Sequence, residues 1–169
     1  WMGDAVTGME FGMANYDLAA LMTKFTRDMF DTQNPDGGLS IIAPDNHYMR
    51  GSSTLWSSAA VHVPWYMYTY YGDTRLFELY WDKMMLWVDF SWKNNNMEDM
   101  DGIFSEVLGD WVTPLPDKDG QKPGGNGAHA AMNFYLVLNR LAHMADMLGY
   151  NQDQLRMEEQ AIRVKTGIN

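Results

Sequence analysis

Ser57-Ser58-Ala59-Ala60-Val61-His62-Val63-Pro64-Trp65-Tyr66-Met67-Tyr68-Thr69-Tyr70-Tyr71-Gly72-Asp73-Thr74-Arg75-Leu76 carries the punctuation of two helices meeting at a tight turn. A serine at 57 or 58 is a natural cap for a helix running to Tyr71. Gly72 then stops it, and Asp73 or Thr74 caps the next. Pro64 falls inside the first pattern and predicts a kink, or a start displaced toward Val63. The second helix, Arg75–Lys93, directs Leu76, Leu79, Tyr80, Met84, Trp87, Val88 and Phe90 toward a core, and Asn94-Asn95-Asn96 breaks it.

The same unit is legible on either side. Upstream, Ala5–Ala14 has a helical face of Val6, Met9 and Met13 beside Phe11. Asn15-Tyr16-Asp17 then offers a cap for a helix from Leu18 to about Thr32, with Leu18, Leu21, Met22, Phe25, Met29 and Phe30 at helical spacing. Pro35-Asp36-Gly37-Gly38 is a turn, and Leu39–Ala43, closed by Pro44, is an ordered loop rather than a strand. Downstream, His129–Leu148 carries Met132, Tyr135, Leu136, Leu138, Leu141, Met144 and Met147 and stops at Gly149; Asn151 or Asp153 caps a last helix to about Lys165. The expected fold is all-α, three αα-hairpins with short turns inside units and long polar loops between them. A bundle of six is one solution. The more economical one is half of a toroid of twelve helices, with the long loops meeting at one end.

Composition bounds the function. The chain has 169 residues, 46% of them hydrophobic and 14% aromatic, enough for one packed domain and too apolar for disorder. A net charge of −10 argues against nucleic acid or an anionic membrane as partner. No apolar run approaches the roughly 20 residues that span a bilayer. Zero cysteines exclude a disulfide framework and thiolate chemistry and leave the compartment open. The fifteen methionines are scattered, as gap-fillers of a helical core would be. Because the chain opens on a tryptophan, it is expected to be a piece of something longer.

Chemistry concentrates at three tryptophans with polar company: Trp1-Met2-Gly3-Asp4-Ala5, Trp56 among serines, and Gly109-Asp110-Trp111. An indole face beside a carboxylate suits a sugar, whose C–H face stacks on the ring while its hydroxyls bond the acid. A glycine between them lets the backbone turn sharply or come close to another surface. The competing readings are plain: Asp4 as a helix cap, Trp56 and Trp111 as core aromatics, Asp110 as a turn cap. Trp65, Trp81, Trp87 and Trp92 sit within helical patterns and are assigned to packing. Glu106 is a further loop carboxylate to consider as acid or base. His129 is read as structural, and His47, His62 and His143 lack metal-ligand spacing. Met97–Leu108 fails as a calcium loop, since Met97 and Leu108 would occupy its first and twelfth ligand positions. No metal and no cofactor is called for.

These segments in order resemble a known family. Trp1-Met2-Gly3-Asp4-Ala5 is similar to the W-x-G-D-A signature of bacterial α-L-rhamnosidases, glycoside hydrolase family 78. Phe25-Thr26-Arg27-Asp28 with Asp31-Thr32-Gln33, Pro35-Asp36-Gly37-Gly38 through Ile42-Ala43-Pro44, Trp56-Ser57-Ser58-Ala59-Ala60-Val61 with Val63-Pro64-Trp65, Tyr71-Gly72-Asp73, and Gly109-Asp110-Trp111 also fall at family positions. The resemblance covers nearly the whole chain. It implies an (α/α)6 six-hairpin barrel, of which residues 1–169 would be about the N-terminal half, in an inverting hydrolase that releases terminal α-L-rhamnose. Trp1, Asp4, Trp56, Asp110 and Trp111 would line the rhamnose subsite, with Asp4 in a supporting catalytic role. It also implies that the general acid and general base lie outside this chain, so that the segment alone would be inactive. The expected partners are a rhamnose-containing carbohydrate and the rest of the barrel. Ser58 departs from the pattern, which usually has Asp there; this bears on how the site is held and on which sugar it accepts. Another (α/α)6 glycosidase of different specificity, or a non-catalytic helical sugar-binding or scaffold protein, are the rival readings.

Overall fold

The computed structural model of the chain describes residues 1–45, 52–95 and 125–168. They form α1 (Met2–Asn15), α2 (Ala19–Asp31), the single turn α3 (Thr54–Ser57), α4 (Ala59–Tyr71), α5 (Arg75–Asn94), α6 (Gly125–Leu148) and α7 (Asn151–Ile168). Pairs α1/α2, α4/α5 and α6/α7 are three hairpins closed by two- or three-residue turns, as the punctuation predicts.

The turns work as their residues dictate. Gly72 takes φ 67° and Gly149 φ 74°, a left-handed geometry in which a Cβ is strained. Thr74 is the cap residue of α5, and Asp73 before it accepts from the Arg75 N–H and grips its guanidinium; these bonds hold its carboxyl below the usual range. In the first turn Leu18 rather than Asn15 is the cap residue, while Asp17 accepts from the Ala19 N–H at 3.3 Å. The Tyr71 hydroxyl joins two hairpins there, accepting from the Leu18 N–H and donating to the Tyr16 carbonyl.

Helix α4 lies at the centre. It packs against α1, α2, α5 and α6, and seven of its first eight residues are buried, Ala59 to Pro64 and Tyr66, with Met67 following. Contacts along its length fix direction: α1 meets it near Trp56 at one end and through Glu10–Tyr70 at the other, and α6 meets it from Ser58–Asn133 to Tyr66–Arg140. α1, α4 and α6 therefore run parallel, starting at one end of the molecule, with α2, α5 and α7 returning behind them. Pro64 neither shifts the start of α4 nor ends it; Ser58 begins the helix because α3 precedes it directly.

Several expectations need correction. Helix α1 begins at Met2, so the Trp1–Ala5 motif is a first helical turn. Helix α6 begins at Gly125, and His129 stands in its second turn. Leu21, Leu79, Met132, Leu136 and Met147 face outward, whereas Thr26 and Phe77 are buried. The reason is that α2, α5 and α6 carry apolar residues on more than one side, so spacing alone does not choose the buried one. Among the described residues nine methionines are in the core, which supports their reading as gap-fillers. Trp81, Trp87 and Trp92 are buried and Trp65 half-buried, as packing residues should be.

Candidate functional site

The common starting end of α1 and α4 gathers two of the three tryptophan stretches. Leu39–Ala43 is an ordered loop behind them, with Leu39, Ile41 and Ala43 buried. It accepts from the Met2 N–H at the Ile41 carbonyl (2.9 Å) and from the Ser57 hydroxyl at the Leu39 carbonyl (3.1 Å). One loop thereby ties the first turn of α1 to α3, although 54 residues separate Met2 from Trp56.

On that support Trp1 and Trp56 meet edge to face, ring centres 5.5 Å apart and planes at 84°. Trp56 lies over Gly3 so closely that a Cβ there would be 2.5 Å from its Cδ2. Glycine is required here by the neighbour, not by backbone angles. Trp1 stays 51% exposed and Trp56 half-buried, so the pair presents a standing indole beside a supported one. Asp4 is exposed in the same turn as Gly3, where the start of a helix favours its negative charge. Ser53 holds the α3 turn, its hydroxyl accepting from the Trp56 N–H at 3.0 Å. The result is a shallow aromatic corner with a free-standing carboxylate, suited to a ligand with both a C–H face and hydroxyls.

Of the residues the sequence singled out, Trp1 and Trp56 are in contact, and Asp4 is exposed in the helical turn that carries Gly3. Glu106, Asp110, Trp111, His47 and the Met97–Leu108 stretch lie outside the described residues. Among the described residues no cluster of histidine and carboxylate could hold a metal ion, and no helix is long and apolar enough to cross a membrane. A notch of about 200 Å³ lined by Asp36, Asp89, Phe90, Lys93 and Asn94 contains none of the residues of the aromatic corner.

Sequence reasoning missed a polar cluster directly behind Trp56. Ser58, His62, Asn133 and Arg140 bond across α4 and α6: Asn133 Nδ2 to Ser58 Oγ at 2.8 Å, Asn133 Oδ1 to His62 Nε2 at 2.9 Å, and the Arg140 guanidinium to His62 Nδ1. Burial, with the Arg140 charge beside it, lowers the His62 pKa to about 3, against a smaller upward pull from Asn133. Ser58 thus contributes a buried hydroxyl, bonded to Asn133. A histidine inside an otherwise apolar helical run was the available signal; its partners were not locatable from spacing.

The family model for the bacterial alpha-L-rhamnosidase 6 hairpin glycosidase domain matches residues 1–169. An alpha-L-rhamnosidase of Formosa agariphila is 26% identical over 96% of this chain and 18% of its own length, and one of an Alteromonas species 25% identical over 94% and 17%. The chain therefore spans less than a fifth of the curated relatives it matches. Among solved structures, alpha-L-rhamnosidase from Dictyoglumus thermophilum superposes with a TM-score of 0.88 at 29% identity, over the whole of this chain and 19% of that one. The alpha-L-rhamnosidase of Streptomyces avermitilis, solved with L-rhamnose, superposes at 0.81 and 23% identity over 99% of this chain and 15% of that one, a likeness of fold.

Proposed function

Because the chain belongs to the bacterial α-L-rhamnosidase six-hairpin glycosidase family, we propose that it forms one sugar-facing wall of a catalytic domain that releases terminal α-L-rhamnose from glycosides or polysaccharides. The observation that carries this is the aromatic corner itself: Trp56 seated on Gly3, Trp1 standing against it, and Asp4 on the adjoining turn. In this reading the indoles receive the apolar face and methyl group of the deoxy-sugar, and Asp4 accepts hydrogen bonds from its hydroxyls. Asp110 and Trp111 complete the subsite. Inversion needs an acid for the leaving oxygen and a base for water, about 6.5–9.5 Å apart. We assign both to residues outside this chain and give Asp4 a supporting role.

Residues 1–169 then constitute about the N-terminal half of the barrel. The exposed stripe of Met132, Leu136 and Met147 on α6 supports this, since it is a second apolar side of a helix whose first side is already buried.

Hydrolysis of p-nitrophenyl α-L-rhamnoside by this chain and by the full-length protein tests the reading. The full-length protein is expected to turn over and this chain to be inert. Turnover by the chain alone would move the acid–base assignment to Asp4, Glu106 or Asp110. Failure of both would remove rhamnose as the substrate and favour another sugar or a binding role.

A further inference from the structure

The cluster behind Trp56 has a single consistent hydrogen-bond direction. Arginine has donors only, so His62 Nδ1, which faces Arg140, must be the bare acceptor. The ring proton is then on Nε2 and is donated to Asn133 Oδ1. That fixes the Asn133 amide, which turns its Nδ2 to donate to Ser58 Oγ. Ser58, having accepted, donates to the Leu55 carbonyl. Each link sets the next, and reversing any one puts two donors or two acceptors face to face. The origin is equally fixed. Arg140 also bonds the Tyr66 hydroxyl at 3.3 Å and lies 4.7 Å over the Tyr66 ring and 5.7 Å over Trp65. No salt bridge competes for it among the described residues.

The chain ends on the residue before Trp56. Leu55 and Trp56 belong to α3, a single turn too short to hold itself. Ser53 secures its front by accepting from the Trp56 N–H, and Ser58 secures its rear through the Leu55 carbonyl. We propose that Arg140, His62, Asn133 and Ser58 act as positioning residues, a directional relay from α6 through α4 that sets the α3 turn and with it the Trp56 ring over Gly3. Its consequence for sugar affinity rests on the rhamnosidase reading; its consequence for Trp56 does not.

The test uses the full-length protein labelled with 5-fluorotryptophan and followed by 19F NMR. Trp56→Phe assigns the Trp56 resonance. Trp81→Phe assigns a control, since Trp81 bonds Asp153 on α7 at 2.8 Å. Ser58→Ala removes the last link alone, and Asn133→Asp keeps an acceptor for His62 but loses the donor to Ser58. Both are expected to shift or split the Trp56 resonance and leave that of Trp81 unmoved. The same variants are expected to raise KM for the aryl rhamnoside about fivefold, the worth of one ordinary hydrogen bond, with kcat changed less than about twofold. A Trp56 resonance identical to that of the unaltered protein in both variants overturns the relay. If Asn133→Asp disturbs Trp81 as well, Ser58→Ala decides. If the unaltered protein leaves the rhamnoside intact, the rhamnosidase reading fails while the 19F comparison still decides the relay.

Discussion

At the scale of the residue, Gly3 and His62 are each explained by what stands next to them. A Cβ on Gly3 would enter the Trp56 ring. Alanine is nevertheless the better helix former, by up to about 1 kcal/mol, so affinity and stability should separate. On the proposed rhamnosidase function, Gly3→Ala is expected to raise KM of the full-length protein for the aryl rhamnoside several-fold through a displaced Trp56, while its melting temperature changes little. A melting temperature lowered in step with affinity would point to general damage instead. His62 makes a prediction about acid. Unfolded, it takes up a proton below its ordinary value of 6.5; folded, it does so only near 3. Between those values the unfolded chain binds more protons, so this group's contribution is complete above about pH 6.5 and is lost as pH falls. The slope is about 1.4 kcal/mol per pH unit. Melting curves of the unaltered protein and of His62→Gln, compared across that window, should converge as the pH is lowered. Parallel curves would mean that His62 is protonated in the fold. This site also shows what sequence could not supply: its partners lie 71 to 78 residues from their counterparts, one polar residue at a time, and no local period encodes such a pairing.

At the scale of the element, the turns inside the hairpins were legible because they rest on local backbone chemistry, whereas α1 and α6 begin three and four residues before their expected starts at Ala5 and His129. Gly72 shows this most cleanly. It takes φ 67° with nothing within 4 Å of a prospective Cβ, so a side chain there meets only backbone strain. Gly72→Ala is expected to cost about 1 kcal/mol, and Gly72→Asn less, since asparagine tolerates the left-handed region. Equal melting temperatures for all three residues would show that the turn relaxes. The choice of buried face was less legible. In α5 the pattern includes Leu79 and omits Phe77, yet Phe77 is fully buried and Leu79 is 68% exposed. Both are apolar, two residues apart, on a helix with aromatic or aliphatic side chains around most of its circumference. Only the neighbours, α2, α4 and α6, decide between them. The Trp1–Ala5 motif was partly legible: its glycine allowed either a sharp turn or a close approach, and the structure has the approach, to Trp56. Its helical conformation was not foreseen, because glycine and aspartate both weigh against a helix interior while an N-terminal turn accepts them.

At the scale of the whole molecule, α6 is apolar on two opposite sides, and this bears on how the chain behaves in isolation. One side, with Phe134, Val137, Leu138, Leu141 and Met144, is fully buried. At 100° per residue, Met132, Leu136 and Met147 fall within an arc of about 60° on the other side, and they are 55%, 43% and 39% exposed. Leu155 and Ile162, each 66% exposed, add a second apolar pair on α7. Exposed apolar side chains of this kind favour association in water, and a net charge of −10 opposes it only weakly at physiological salt. The isolated chain is therefore expected to self-associate with rising concentration in analytical ultracentrifugation. The double variant Met132→Glu, Leu136→Lys should return it to monomer with stability changed by less than about 0.5 kcal/mol per substitution, since neither side chain fills the described core. In the full-length protein the same pair should instead lower the melting temperature, because a partner element covering the stripe would then enclose two charges. Opposite effects in the two settings would identify the stripe as an interior surface of the larger barrel. An isolated chain that stays monomeric at every concentration would sink the half-barrel reading and favour a self-sufficient helical domain.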